Sequence, residues 1–376
     1  MYFSTPRGKW STRVYDLCME WVKRDCEVHV ITAKYYKSDL INFEGGTHQI
    51  NKINVHIIDV EIKNNHSLVK RLFSFWTFST IAIIKDYKLG KGTRIYSSGP
   101  VSVLFQGLLV RSLFRKQINC EIRDLWPEGI EELGVIKNKT LLKLIKLAVK
   151  MVYSKSNQIF VLSSGMKDYI VRNYKIHHSK IHVAPNFITQ ETEILYDNLN
   201  YPEKMLLYFG NFGEVNKVFD LVNLFYRNQE HFNANLVIIG DGPLKNKLIE
   251  FSKKSDRIFI YPPIPRHLIP GIITNSLAAF VPLKKGEIMD TSSPNKFFET
   301  IGQGTPVIQS TNGWIKEIVA KNELGFSFNF EDDLHFRKII KELEKESFNR
   351  PKIKKYALKN FNKENVAKGI LERLKE

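Results

Sequence analysis

Apolar residues recur at helical spacing along this chain, and these stretches alternate with short β-branched runs through both halves. In the first half the strand pattern falls at residues 27–32, 53–62, 94–97, 118–122, 158–162 and 180–184, with helices predicted near 11–24, 66–86, 99–114, 139–154 and 164–174. From 185 to 203 the chain turns polar and loses its period, which marks a linker. Strand runs resume near 205–210, 235–240, 257–261, 278–282, 306–309 and 325–328, each followed by a helical pattern. Such alternation predicts an α/β protein of parallel sheets covered by helices. At 376 residues the chain exceeds one ordinary core, so two doubly wound, Rossmann-like domains facing a cleft are expected. They are placed at 1–190 and 204–376, joined by a linker at 191–203, with the last helix packing back on the first domain.

The beginning departs from that plan. Met1 is followed at once by Tyr2-Phe3-Ser4 and the turn-like Thr5-Pro6-Arg7-Gly8, where a doubly wound domain normally opens on a buried strand. The first strand is therefore read as truncated. Either the native start lies upstream of Met1, which is the expectation, or a central strand is absent and leaves its neighbours' backbone groups unpaired.

The segment Thr291 to Pro306 carries the densest chemical signal. Ser293 can cap a helix whose first position is Pro294, and Gly302 with Gly304 can stop it. A helix N-terminus attracts anions; Glu299, about two turns along, lies beyond that positive end and is suited to accept hydrogen bonds from sugar hydroxyls. Phosphate at one end and hydroxyls further in point to a nucleotide sugar. Small residues also recur at strand-to-helix junctions: Gly8, Ser97-Ser98-Gly99-Pro100, Gly210-Asn211-Phe212-Gly213 and Gly240-Asp241-Gly242-Pro243. Each alone is more often packing geometry than phosphate binding, and their joint position after strands carries the weight. Lys217 opens the helix after one of them, either to neutralise a diphosphate or simply as a solvated lysine. Neither GxGxxG nor GxxxxGK[ST] occurs, which argues against NAD and against a P-loop.

Arg123-Asp124-Leu125-Trp126-Pro127-Glu128 follows a strongly apolar strand, so its charges arrive at a carboxyl end, facing the expected cleft. Arg123 and Asp124 either pair or cap the next turn, or Asp124 orients an acceptor hydroxyl and accepts its proton.

Charge narrows the class of partner. The first 190 residues hold 29 Lys and Arg against 15 Asp and Glu, whereas residues 191–376 hold 27 against 24, so most of the net +17 sits in the first half. No nucleic-acid-binding signature accompanies it, and an anionic membrane surface is the favoured partner over nucleic acid. Residues 66–86 set His66, Lys70, Arg71 and Lys85 among Leu68, Val69, Leu72, Phe73, Phe75, Trp76 and Phe78, a basic amphipathic helix with an aromatic edge. Arg111, Phe114, Arg115 and Lys116 add a second basic-aromatic patch at 111–116. Cys18, Cys26 and Cys120 are an odd set without CxxC spacing, so neither a disulfide framework nor a zinc site is supported and a reducing cytoplasm is expected. No apolar run reaches the length that spans a bilayer.

Together these residues resemble the retaining glycosyltransferases of family 4, which have the GT-B fold, and within them the bacterial sugar transferases of O-antigen and capsule assembly. The resemblance rests on Thr12-Arg13-Val14-Tyr15-Asp16-Leu17, Arg123 to Glu128, Val161-Leu162-Ser163 with Gly165-Met166, Ala184-Pro185-Asn186-Phe187 and Gly240-Asp241-Gly242-Pro243, and covers nearly the whole chain. It implies that Glu299 is the second carboxylate of a Glu-x7-Glu motif and binds the donor ribose. The first carboxylate falls at Thr291 and is missing; Asp290, Glu287 or amides near Ser292 and Ser293 are the substitutes. The family's basic pair corresponds to Asn211 and Lys217, so only the lysine survives, with Lys296 and the helix start at Ser293 to Asn295 supplying the remaining charge. Gly8 matches the glycine loop near the donor phosphates. Arg123 stands where many relatives have histidine, and Asp124 matches their aspartate. The implied reaction moves a sugar, with retention, from a UDP-linked donor to a lipid-diphosphate-linked acceptor, with no metal and no cofactor, on the inner face of the cell membrane. A non-transferring UDP-sugar 2-epimerase of the same fold and an inactive scaffold remain as alternatives.

Overall fold

The computed structural model describes residues 3–8, 11–36, 38–62, 68–90, 92–97, 117–134, 136, 138–188, 201–345 and 348–375. The helix predicted at 99–114, the patch at 111–116 and most of the linker at 191–203 lie outside them. Two compact units divide the chain, Met1–Pro185 with Lys363–Glu376, and Asn186–Asn362. The first contains α1 (Arg13–Val22), β1 (Val28–Tyr35), β2 (Gly46–Ile50), β3 (Ile53–Ile62), α2 (Leu68–Lys88), β4 (Ile95–Ser97), β5 (Asn119–Ile122), α3 (Glu128–Glu132), α4 (Lys139–Lys155), β6 (Ile159–Val161), α5 (Ser164–Tyr174) and β7 (Ile181–Val183). The second contains β8 (Met205–Asn211), α6 (Val218–Asn228), β9 (Asn235–Asp241), α7 (Lys245–Ser252), β10 (Ile258–Tyr261), α8 (Ile269–Thr274), β11 (Ala278–Val281), α9 (Glu287–Thr291), α10 (Asn295–Gly302), β12 (Val307–Gln309), α11 (Trp314–Asn322), β13 (Gly325–Ser327), α12 (Asp333–Glu344) and α13 (Arg350–Asn360). The last helix, α14 (Lys363–Lys375), belongs to the first unit, where Trp21 Nε1 donates to Ala367 O at 3.0 Å.

The second unit is one parallel sheet in the order β10-β9-β8-β11-β12-β13. Its inner strands β9, β8, β11 and β12 are buried on both faces, which is why they read as unbroken apolar runs. In β8, Leu206 and Tyr208 join a cluster with Phe225, Phe280 and Phe336, while Met205, Leu207 and Phe209 pack on the other side with Ile272 and Ile273. Helix α6 docks through Val218, Leu221, Val222 and Phe225, the spacing of one apolar face, and each such large side chain contributes about 1.5–3 kcal/mol on burial. Where this unit begins and ends, Ile188 forms a parallel bridge with Asn362 and its N–H donates to Phe361 O at 3.0 Å.

The first unit departs from a single doubly wound sheet. Among the described residues it has two: β1-β3-β2, in which β2 is antiparallel, and the parallel β4-β5-β6-β7. No described strand joins β1 to β4. Phe3–Thr5, where the end of a first strand is expected, is tied to the residues just past β1: Ser38 Oγ donates to Phe3 O at 2.7 Å and Thr5 N–H to Asp39 Oδ1 at 2.9 Å. Strand β2 has no counterpart in the sequence reading. Its two-residue turn is built by Asn51 (φ 48°) and Lys52 (φ 65°), without the glycine that usually signals such a hairpin.

Candidate active site

Numbered from its own first strand, the second unit's sheet runs 3-2-1-4-5-6, so the direction of winding reverses between β8 and β11. Ligands of such sheets bind outside the carboxyl ends at that point. Two segments meet the requirement: residues 212–217 after β8, and residues 282–294 after β11, which include the short helix α9. The first is laced to the end of β9 by Phe212 N–H to Asp241 O (2.8 Å) and Leu244 N–H to Phe212 O (3.0 Å). Close approach here demands glycine, because a Cβ on Gly240 would stand 1.9 Å from Gly210 O. Asn211 is wedged in the same turn, its Oδ1 2.5 Å from where a Gly242 Cβ would be.

The loop after β11 is pinned from both sides. Trp314 Nε1 donates to Ser292 O at 2.8 Å and Asn186 Nδ2 to Ser293 O at 2.7 Å. These bonds hold the chain extended through Pro294 (ψ 132°), so the predicted cap is corrected: α10 begins at Asn295 with Pro294 in the cap position, and the buried Ser293 Oγ has no hydrogen-bond partner among the described residues. Gly304 (φ 78°) ends the helix as expected. Phe297, Phe298 and Ile301 anchor it against Val281, Val307 and Trp314, which leaves Asn295, Lys296 and Glu299 on the other edge. Glu299 is the fifth residue of the helix, a little over one turn in rather than two.

Lys296 reaches back to the end of β8. Its ammonium lies 4.9 Å from the centroid of the Tyr208 ring and donates to Asn216 Oδ1 at 3.1 Å. Gly210, at φ 131°, makes room: a Cβ there would be 2.7 Å from Lys296 Cε. Burial lowers the Lys296 pKa to about 8, with Glu299 pulling it back up. A half-buried cation beside the first amides of α10 is a place where a diphosphate would replace lost water. Lys217 is engaged elsewhere. It sits in the left-handed region (φ 48°) before α6, and its ammonium pairs with Asp220 at 3.0 Å. Thr291 is buried and donates to Ile288 O at 2.7 Å, while Asp290 Oδ1 accepts from Asn312 N–H at 2.8 Å. Sequence reading missed Tyr208, Asn216 and Trp314; none stands in a motif, and only the sheet order brings them to one place.

In the first unit, Gly8 closes a turn by donating to Thr5 O at 3.0 Å, and a Cβ there would fall 2.0 Å from Ser4 Oγ. Arg123 Nη2 donates to Ser11 Oγ at 2.9 Å, fastening the end of β5 to the start of α1. Beside it, Arg13 binds Glu121 Oε1 (2.9 Å), Pro185 O (2.7 Å) and Ala184 O (2.8 Å), with both side chains of the ion pair no more than 5% exposed. Asp124 is solvent-exposed, yet the protein around the strand end withholds enough water to raise its carboxyl, against the opposing pull of Arg123. It does not cap α3, whose first turn has no side-chain cap.

Family comparisons bear on both units. Residues 11–192 match the family described as Glycosyltransferase Family 4, and residues 191–360 match Glycosyl transferases group 1. The chain is a GT-B glycosyltransferase of the family-4 type. Among solved structures, this glycosyltransferase is similar to sucrose-phosphate synthase from Thermosynechococcus elongatus, with a TM-score of 0.74 and 16% identity over 96% of this chain and 91% of that one. HepE from Anabaena, solved in complex with UDP, gives a TM-score of 0.68 and 12% identity over 96% and 95%. WaaG, a glycosyltransferase involved in lipopolysaccharide biosynthesis, gives 0.67 and 12% over 100% and 97%. An uncharacterized glycosyltransferase of Methanocaldococcus jannaschii is 26% identical over 188 residues, 47% of this chain and 46% of that protein, so the match spans about half the length of that relative.

Among the described residues, no group of His, Cys, Asp and Glu is arranged to hold a metal ion, and no helix is long and apolar enough to cross a membrane. Helix α2 has two apolar faces: Phe78 and Ala82 are buried against Ala33, Tyr35 and Ile58, while Phe73, Trp76, Ile84 and Tyr87 form an exposed stripe.

Proposed function

We propose that this protein moves a sugar, with retention, from a UDP-linked donor to a hydroxyl of a lipid-diphosphate-linked saccharide during surface polysaccharide assembly. The observation that carries the reading is the Lys296 ammonium, held over Tyr208 beside Gly210 and Asn216 where the sheet reverses. In this reading the leaving diphosphate takes its counter-charge from Lys296 and the start of α10, so its neutralisation needs no metal. Glu299, on the same edge of the helix, receives the ribose hydroxyls. The donor phosphate itself accepts the proton of the attacking hydroxyl on the same face, and Asp124 with Arg123 orients that hydroxyl, so positioning is the protein's main contribution. The UDP carried by HepE and the lipopolysaccharide role of WaaG support donor and pathway respectively. The exposed stripe on α2 supports work at the cytoplasmic membrane surface, where the acceptor is met.

Calorimetry with UDP, followed by a screen of UDP-sugars with lipid-linked acceptors, tests the proposal. UDP binding and acceptor-dependent transfer are expected. Turnover of a UDP-sugar without acceptor would instead favour a 2-epimerase, and absence of binding heat would favour a scaffold.

A further inference from the structure

Exposed large apolar side chains are concentrated on two helices of the first unit, α2 and α4. On α4, Leu142, Val149, Val152 and Tyr153 are buried, as a helix lying on a sheet requires. Leu141, Leu144, Leu147 and Met151 are 46%, 59%, 54% and 52% exposed. At 3.6 residues per turn these four share an arc of about 120°, separate from the buried face. They form a contiguous strip, unlike the single exposed leucines of ordinary surfaces. Beside the strip run Lys139, Lys143, Lys146 and Lys150, within an arc of about 60°. The helix sequence, KTLLKLIKLAVKMVYSK, contains no acidic residue.

We infer that α4 is a membrane-docking helix, seating Leu141, Leu144, Leu147 and Met151 among the acyl chains at the boundary of an anionic bilayer with its lysines on the lipid phosphates. Charge selects this occupant. Two copies meeting strip to strip would bring lysine rows together with no carboxylate on the helix to oppose them, whereas an anionic leaflet complements the lysines and receives the strip. Lys146 also pairs with Glu131, so the remaining lysines carry most of the attraction. Docking through α4 brings the unit that carries Asp124 to the surface where a lipid-linked acceptor resides, and in that respect it rests on the proposed function.

Flotation of the full chain with phosphatidylcholine vesicles, with and without phosphatidylglycerol, tests it. Binding is expected only with phosphatidylglycerol, and should vanish in ~1 M salt, where charges are screened within about 3 Å. The triple variant Leu144→Gln/Leu147→Gln/Met151→Gln, altered at exposed positions, should lose flotation while binding UDP as the native protein does. Lys139→Ala and Lys143→Ala should each weaken binding about five-fold. Native flotation by the triple variant overturns the inference, as does loss of flotation only in Phe73→Gln/Trp76→Gln on α2, or absence of binding by the native protein. Light scattering that shows a native dimer made monomeric by the triple variant also overturns it, since a second copy would then cover the strip. Loss of UDP binding in the native protein would instead strike the proposed function and leave the docking result standing.

Discussion

The proposed seating of a diphosphate on Lys296 predicts proton uptake on UDP binding, and the size of the effect follows from the lysine's pKa. At about 8, half of these side chains are neutral at pH 8 in the empty protein. A diphosphate seated beside the ammonium favours its charged form and draws the pKa back toward the ordinary lysine value. Binding at pH 8 therefore takes up about half a proton, and at pH 9 about 0.9, so UDP affinity should fall about five-fold from pH 8 to pH 9. The nucleotide's own phosphate, with a second pKa of about 6, is already ionised there. Calorimetric titration with UDP in buffers of different ionisation heat gives the proton count from the slope of observed heat against buffer heat. The stability of the empty protein moves the opposite way. Its folded pKa lies below the unfolded value of 10.5, so the folded state binds fewer protons between about pH 8 and 10.5, and stability rises with pH across that window. Replacing Lys296 with Met should abolish the uptake and flatten the affinity profile. Zero uptake by the native protein, or equal uptake by Lys296→Met, would refute the placement of this cation on the diphosphate.

Three other expectations are independent of that linkage. Glu299→Ala should weaken UDP binding roughly ten- to a hundredfold, the loss of hydrogen bonds to a charged group; calorimetry showing native affinity would remove it from the ribose. Asp124→Asn should leave UDP affinity unchanged and lower the transfer rate, and a normal rate would count against its acceptor role. Arg13→Met breaks the buried pair with Glu121 and should cost about 3–5 kcal/mol in urea unfolding; an unchanged midpoint would show that the pair contributes little.

The architecture of the second unit was legible because both faces of its sheet are buried: β8, β9 and β11 are continuous apolar runs closed by Gly210, Gly240 and Pro282, and a run of that kind needs no periodicity to be recognised. Gly304 as a helix stop was legible for local reasons. What escaped was set at long range. Whether Ser293 or Pro294 caps α10 is decided by Asn186 and Trp314, distant in sequence, and the partners of Lys296 are fixed by the order of strands. Lys217 shows the same dependence: its position after a glycine loop suggested a phosphate ligand, and its pairing with Asp220, three residues on, is visible only in the structure. The β2 hairpin was hidden by a turn of Asn51 and Lys52 that carries the required backbone without the usual residues.

The bridge between Ile188 and Asn362 has a consequence for how this protein can be rearranged. It sets the entry and exit of the second unit side by side, so that unit is a cassette inserted into the first and attached at neighbouring points. Modules with adjoining ends tolerate exchange, because replacing one imposes no new span on its host. Lys296 and Glu299, proposed to recognise the nucleotide, lie inside the cassette; Gly8, Arg123 and Asp124 lie outside it. Chimaeras joined at 185/186 and 362/363 therefore test whether donor preference travels with the cassette while acceptor preference stays with its host.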